Sequence, residues 1–240
     1  MKRRPAARTS WFTVLLIIAA VMLWALDQKR LADSPGKPPP REVGKPSPAP
    51  KQGPAPTERP LSVPEKAGAY EVHRNCTLVE ARNNDGDSFM LRLPDGRKAE
   101  FRLYFVDTPE SAFKRYAGGD SDHERIRQQA AELGGITPEQ AVETGRKGKE
   151  FTLGLLGSGP FTIFTCWDSP YQDQRYHAFV EVRENGKPRW LHELLVGRGL
   201  VRIRTKPADL PDGTPASRHR DHLRELERQA KRSGTGVWGL

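Results

Sequence analysis

The stretch from Phe101 to Glu110 constrains the fold most, because an apolar run stops there at a polar segment that cannot extend it. The residues Phe101-Arg-Leu-Tyr-Phe-Val106 are typical of a buried strand. In the segment that follows, Asp107-Thr-Pro-Glu110, proline fixes φ and has no N–H to donate to a neighbouring strand. The sequence therefore predicts two carboxylates, Asp107 and Glu110, just beyond the end of a buried strand.

The position of Arg102 on this strand decides whether it belongs to the same site. Its separation from Asp107 is odd, so an unbroken pleat would send the two side chains to opposite faces. A bend or a bulge between them would bring them together. From the sequence alone, the meeting of Arg102 and Asp107 stays open.

A second acidic segment precedes the strand, and a predicted β-hairpin joins the two. The hairpin strands run from Ser88 to Leu93 and from Lys98 to Val106, around Pro94-Asp-Gly-Arg97. Such a hairpin would bring Asp87 close to Asp107. An oxygen-rich pocket beside an arginine suits a hard cation and a phosphate.

The acidic segment Asp85-Gly-Asp87 does not fit an EF-hand calcium loop. With Gly86 as the sixth loop residue, the first would be Ala81 and the twelfth Arg92, so both key carboxylates are absent. Taken alone, the tripeptide is typical of a solvated turn. Its pairing with the second motif makes a site the stronger interpretation.

Together, Asp85-Gly-Asp87-Ser and Phe101-Arg-Leu-Tyr-Phe-Val-Asp-Thr-Pro-Glu110 resemble the staphylococcal nuclease (thermonuclease) family. The resemblance extends from about Cys76 to Trp238. It implies a mainly β, α+β domain: a five-stranded OB-type barrel with helices packed on it. It also implies a Ca²⁺-dependent phosphodiesterase that acts on DNA, RNA or both.

The resemblance implies a role for each motif residue. Asp87 and Asp107 would hold Ca²⁺ together with the carbonyl of Thr108, and Glu110 would act as general base through a water. Arg102 would contact the phosphoryl oxygens.

Arg175 is the second phosphate ligand that the resemblance implies, but its surroundings depart from the family pattern. It precedes a predicted strand from Tyr176 to Arg183, as expected, yet the tyrosine and glycine of the family motif are missing. A surface arginine is the alternative. The family's later nucleotide-contacting tyrosines are also not evident, and Arg202 or Arg204 would serve instead.

The N-terminal quarter of the chain is not part of a globular core. Residues 1–32 contain a basic head and a run from Trp11 to Leu26 without a charge, which predicts a single-pass membrane anchor; a cleaved signal segment is the alternative. Residues 33–67 are a proline-rich linker, and 68–240 form the nuclease-like domain. The domain is expected outside the cytoplasm at the cell membrane, or secreted or periplasmic after cleavage.

The net charge of +9 describes the head and linker more than the domain. After Lys66 the chain carries 27 Lys and Arg against 25 Asp and Glu, so binding of nucleic acid must rest on local arginines. We expect a monomer. A disulfide between Cys76 and Cys166 stays open beside the alternative of two buried thiols.

Helices are predicted over 125–133, 137–156, 191–199 and 219–231, and 112–135 resembles an insertion that either shapes the substrate groove or is a solvated face. His192 is interpreted as structural. His219 and His222 are placed on a solvated helix face, because no third metal ligand is evident nearby. Without a His/Cys cluster, zinc is disfavoured.

Two other functional classes compete with the nuclease. The first is a non-catalytic barrel that binds nucleic acid or a protein while tethered to the membrane. The second is a structural domain of the envelope, which explains the anchor but none of the motif residues. The presence of Asp87, Arg102, Asp107 and Glu110 together favours the enzyme.

Overall fold

The computed structural model describes residues 65–240. The predicted anchor and nearly all of the predicted linker lie outside this range. No helix within residues 65–240 combines the length and the apolar character needed to cross a bilayer.

The described chain is an α+β domain built on a closed, five-stranded mixed β-barrel. Its strands follow the order β2-β3-β4-β7-β6, and β6 pairs with β2 to close the barrel. The β4–β7 pair is parallel and the other four are antiparallel, which is consistent with an OB-like fold. The strands are β1 (Glu65–Ala67), β2 (Tyr70–Leu78), β3 (Ser88–Arg92), β4 (Lys98–Leu103), β5 (Val106–Asp107), β6 (Phe161–Thr165), β7 (Tyr176–Glu184), β8 (Lys187–Trp190) and β9 (Arg202–Ile203).

The described part of the domain also contains four helices, and a short 3₁₀ turn, Gly236–Gly239, follows the last of them. Fully buried aromatic and aliphatic side chains, such as Phe89, Phe101 and Phe179, form the core. The helices are α1 (His123–Glu132), α2 (Pro138–Gly157), α3 (Leu191–Gly197) and α4 (Ala216–Arg232).

Helix α2 begins as its sequence predicts. Thr137 accepts a hydrogen bond from the N–H of Gln140, whose side chain in turn accepts from the N–H of Thr137, and Pro138 follows at the first helical position. Further along, Gly145 and Gly148 leave a notch in the helix surface. The loop that carries Thr108 and Glu110 lies in this notch.

Predicted boundaries are wrong for several elements, and the error reaches three residues or more in three of them. The first barrel strand, which the sequence predicts from Cys76 to Ala81, runs from Tyr70 to Leu78, because a bulge between His73 and Cys76 interrupts the alternation that would reveal it. Strand β4 ends at Leu103 instead of continuing to residue 106. Helix α4 starts at Ala216, three residues earlier than expected.

The two cysteines are unpaired in the structure. Cys76 is buried in the core, as the thiol alternative expects, whereas Cys166 is exposed. The interpretation as two buried thiols is therefore wrong for Cys166.

Candidate functional site

A sharp bend after β4 re-aims the chain toward the first acidic segment. Phe105 has a φ of 69°, in the left-handed region that a phenylalanine rarely adopts. Backbone hydrogen bonds to a segment that is distant in sequence hold the bend. The Phe105 N–H donates to the carbonyl of Lys206 at 3.0 Å, and the Arg204 N–H donates to the carbonyl of Phe105 at 2.7 Å. Asp107 then pairs with Arg202 across β5 and β9.

This bend resolves the question of Arg102. Its Nη2 donates to Asp107 Oδ1 at 2.6 Å and to Asp87 Oδ2 at 3.2 Å. One guanidinium nitrogen thus bridges carboxylates from the two acidic segments. The predicted hairpin brings them together as expected: Ser88 on β3 lies opposite Arg102 on β4.

Asp87 is a buried carboxylate that contacts Arg102 and Ser88. Its residue is 6% exposed, and Ser88 Oγ donates to its Oδ1 at 3.1 Å. Burial raises the pKa of Asp87 to about 6, with Arg102 opposing the shift and Asp107 adding to it. An additional positive charge beside Asp87 would favour its ionised form.

The loop Thr108-Pro109-Glu110 is pressed against α2. A methyl group placed on Gly145 would lie 2.4 Å from the carbonyl oxygens of both Pro109 and Glu110, and one on Gly148 would lie 2.8 Å from Thr108 Cγ2. From the other side, Gly86 approaches the same threonine side chain. The glycines therefore fix this loop through close backbone contact.

Glu110 projects from this loop into a basic environment. Its Oε1 lies 3.1 Å from Arg125 Nη2 and its Oε2 lies 3.4 Å from Lys114 Nζ. Its backbone N–H donates to Gln129 Oε1 at 3.0 Å. Both cations belong to the 112–135 segment, so this segment forms part of the site wall; the purely solvated interpretation does not hold for Lys114 and Arg125.

Arg175 lines the same cavity and lies beside Ser88. Its Nε donates to Asp173 Oδ2 at 2.9 Å, and its Nη1 lies 3.4 Å from Ser88 Oγ, next to Asp87. The ring of Tyr171, which is largely exposed, lies 5.9 Å from the guanidinium carbon of Arg102.

One polar cavity of about 560 Å³ contains all six residues that the sequence selects. They are Asp87, Arg102, Asp107, Thr108, Glu110 and Arg175. Three buried N–H and O–H groups of residues that line this cavity lack a partner within the described part of the chain: Arg102 Nε, Arg202 Nε and Thr108 Oγ1.

The sequence does not single out Glu132 as a site residue, and it offers Arg202 and Arg204 only as alternatives. Arg202 pairs with Asp107 and, through Nη1 at 2.5 Å, with Glu132; Arg204 also pairs with Glu132. Both arginines line the same cavity. The Arg202–Asp107 pair follows from the pairing of β5 with β9, two strands far apart in sequence, and no local sequence pattern indicates it.

The interpretation of the histidines needs correction. His219 is 3% exposed instead of solvated, and its Nε2 lies 2.6 Å from Nε2 of the fully buried His192. One donor atom from each of His192, Glu193 and His219 lies within 4.8 Å of the other two, so these residues form a group that could hold a metal ion, which the sequence did not indicate. His222 is half-exposed, as expected.

Comparison with known proteins does not assign a family. No family profile matches the chain, and no curated protein is significantly similar to it. The thermonuclease resemblance therefore rests on the two motifs.

Proposed function

We propose that this chain is a Ca²⁺-dependent nuclease of the thermonuclease type on an OB-fold barrel, hydrolysing phosphodiester bonds of DNA, RNA or both. The observation that carries the proposal is the bridge from Arg102 Nη2 to both Asp87 and Asp107, in a cavity shared with Glu110 and Arg175. Two carboxylates that converge on one point can share a cation. Two arginines beside them can bind a phosphoryl group.

The donor atoms fit a hard divalent cation. Asp87 and Asp107 supply carboxylate oxygens, and the Thr108 carbonyl is the third expected ligand. The buried Thr108 hydroxyl lies against Gly86 and lacks a partner among residues 65–240. When bound, Ca²⁺ would polarise a phosphoryl oxygen and offset the charge that develops there.

The protein's own side chains would perform the remaining tasks. Arg102 and Arg175 would hold the phosphoryl oxygens, and the unpartnered Nε–H of Arg102 provides one donor for them. Glu110 would accept the proton of the attacking water. Arg125 and Lys114 each hold one oxygen of Glu110, which limits its rotation.

A specific observation also supports the non-catalytic alternative. Asp87, Asp107 and Glu110 are all paired with basic side chains, and in the non-catalytic alternative these carboxylates serve only to position the basic side chains for binding nucleic acid. A hydrolysis assay distinguishes the nuclease from the non-catalytic barrel, because only the nuclease cleaves the nucleic acid that it binds. In either case the partners are nucleic acid and, through residues 1–32, a membrane, with the domain outside the cytoplasm.

The test is nuclease activity of the purified full-length chain on single- and double-stranded DNA and RNA, with Ca²⁺ or with a chelator. We expect Ca²⁺-dependent cleavage, and Glu110→Gln to lower the rate about 10²-fold or more while oligonucleotide binding persists. Glu124→Gln, an exposed carboxylate on α1 paired with Arg127, is the matched control and should keep full activity.

Binding without cleavage by the wild-type chain would establish the non-catalytic barrel instead. Cleavage that is indifferent to Ca²⁺, or to the change at Glu110, would remove the proposed mechanism.

A further inference from the structure

We propose a second metal site, for Zn²⁺ or a similar borderline cation, between α3 and α4, with His192, Glu193 and His219 as ligands. This site shares no residue with the proposed Ca²⁺ site, because none of the three residues lines the cavity that contains Asp87 and Asp107. The proposal does not depend on nuclease activity.

The two imidazoles face each other inside the domain. His192, in the first turn of α3, is fully buried, and His219, in the first turn of α4, is 3% exposed. Their Nε2 atoms are 2.6 Å apart, which without a metal is a hydrogen bond in which one ring donates and the other accepts. A metal ion would replace that shared proton.

Glu193 completes a set of three donors. One of its oxygens lies 4.0 Å from His219 Nδ1, and one ligand atom from each of the three residues lies within 4.8 Å of the others. Tetrahedral Zn²⁺ with bonds of about 2.0–2.1 Å places its donors about 3.3 Å apart. His192 faces Nε2 of His219 whereas Glu193 faces its Nδ1, so the His219 ring must rotate until its Nε2 faces both partners. The two Nε2 atoms must also separate by about 0.7 Å and the carboxylate must move inward.

The donor types indicate the class of metal. Two imidazole nitrogens and one carboxylate suit Zn²⁺, Co²⁺ or Ni²⁺, whereas Ca²⁺ prefers a shell of oxygens only. Three protein ligands leave a fourth position for water.

The surroundings provide an outer shell and a path to solvent. His222 Nε2 lies 3.5 Å from the same oxygen of Glu193 and is half-exposed, so the carboxylate is held on the solvent side of the cluster. His192 Nδ1 is buried and has no hydrogen-bond partner in the described part of the chain. With Nε2 bound to a metal, this Nδ1 would carry the ring proton, which defines the tautomer of His192.

The site lies beneath the bend that orients Asp107. The Phe105 ring contacts both imidazoles, with centroid distances of 6.1 Å to His192 and 5.1 Å to His219. A bound ion would link α3 to α4 next to the Phe105 ring. We therefore infer a structural role: the ion stabilises the fold and the bend.

Zn²⁺ titration of the metal-free full-length chain tests the proposal, in competition with a chromophoric chelator and with metal content measured on the isolated complex. We expect one Zn²⁺ per chain, a Tm that rises with Zn²⁺ concentration, and visible d–d absorption of tetrahedral type on Co²⁺ substitution. An excess of Ca²⁺ should not displace the bound Zn²⁺.

The variants are His219→Asn and Glu193→Gln, with His123→Asn on α1 as the matched control. Loss of a direct ligand should weaken Zn²⁺ binding more than about 100-fold, the upper range for outer-shell changes, while His123→Asn leaves it unchanged. Should His219→Asn fail to fold, the more peripheral Glu193→Gln decides the matter. Absence of stoichiometric Zn²⁺ in the wild type, or equal affinity in wild type and Glu193→Gln, would overturn the proposal.

Discussion

Replacing Gly145 by alanine adds a single methyl group at the contact between α2 and the loop that carries Glu110. The new Cβ would lie 2.4 Å from the carbonyl oxygens of Pro109 and Glu110, and both are backbone atoms that cannot rotate away. Gly154 on the same helix is exposed, and a Cβ there meets nothing within 4 Å. The two glycines therefore form a matched pair.

The two substitutions should change the free energy of unfolding in opposite directions. Alanine in place of glycine in a helix is favourable by about 1 kcal/mol, so Gly154→Ala should stabilise the domain by about that amount. At Gly145 the same gain is opposed by overpacking, which costs about 1–3 kcal/mol or more when backbone must shift. We expect the unfolding free energies of the two variants to differ by about 3 kcal/mol, or about 6–12 °C in Tm for a domain of this size.

Urea denaturation followed by circular dichroism measures this difference, and nuclease activity is assayed in parallel. Displacement of the loop should also lower the activity of Gly145→Ala, whereas Gly154→Ala keeps it. If Gly145→Ala is as stable as Gly154→Ala, the close packing of the Glu110 loop on α2 is refuted.

Two further predictions concern the charged residues of the site. Burial raises the pKa of Asp87 to about 6, above its unfolded value, so the contribution of Asp87 to the free energy of unfolding of the Ca²⁺-free protein should fall as pH rises from about 4 to above 6. His177 and His219, whose pKa burial lowers to about 4, contribute in the opposite direction over this range. The free energy of unfolding of Asp87→Asn should therefore rise more steeply with pH over this range than that of the wild type, and denaturant titrations at several pH values check it; identical pH profiles of the two proteins would contradict the assignment. Arg175→Lys should lose nearly as much nuclease activity as Arg175→Ala, because an ammonium cannot reproduce a bidentate guanidinium contact. Arg183→Lys, an exposed change on the same strand, is the control, and near wild-type turnover of Arg175→Lys would show that the second phosphate ligand lies elsewhere.

The cluster of histidines shows where sequence reasoning fails. Residues 219 and 222 are three apart on a helix, so the local pattern indicates one polar face. The structure instead covers His219 with α3 and leaves His222 at the edge. Burial by another element is not encoded in the spacing, and neither is the contact with Glu193.

The sequence by itself determined the features that short-range chemistry controls. Strand β5 ends before Pro109, Thr137 and Pro138 start α2, and Pro94-Asp-Gly-Arg97 turns the hairpin, because proline, glycine and capping side chains act on their own few residues. The resemblance of the two motifs to the thermonuclease family selected the six candidate site residues, and they do share one cavity.

Only the tertiary structure decided how those residues meet. Arg102 and Asp107 come together because Phe105 adopts a positive φ, and that strained bend is held by hydrogen bonds to Arg204 and Lys206. The Arg202–Asp107 pair likewise depends on the β5–β9 pairing. A strained backbone conformation persists only when distant contacts compensate for its cost, and no local pattern in the sequence records which distant contacts will form.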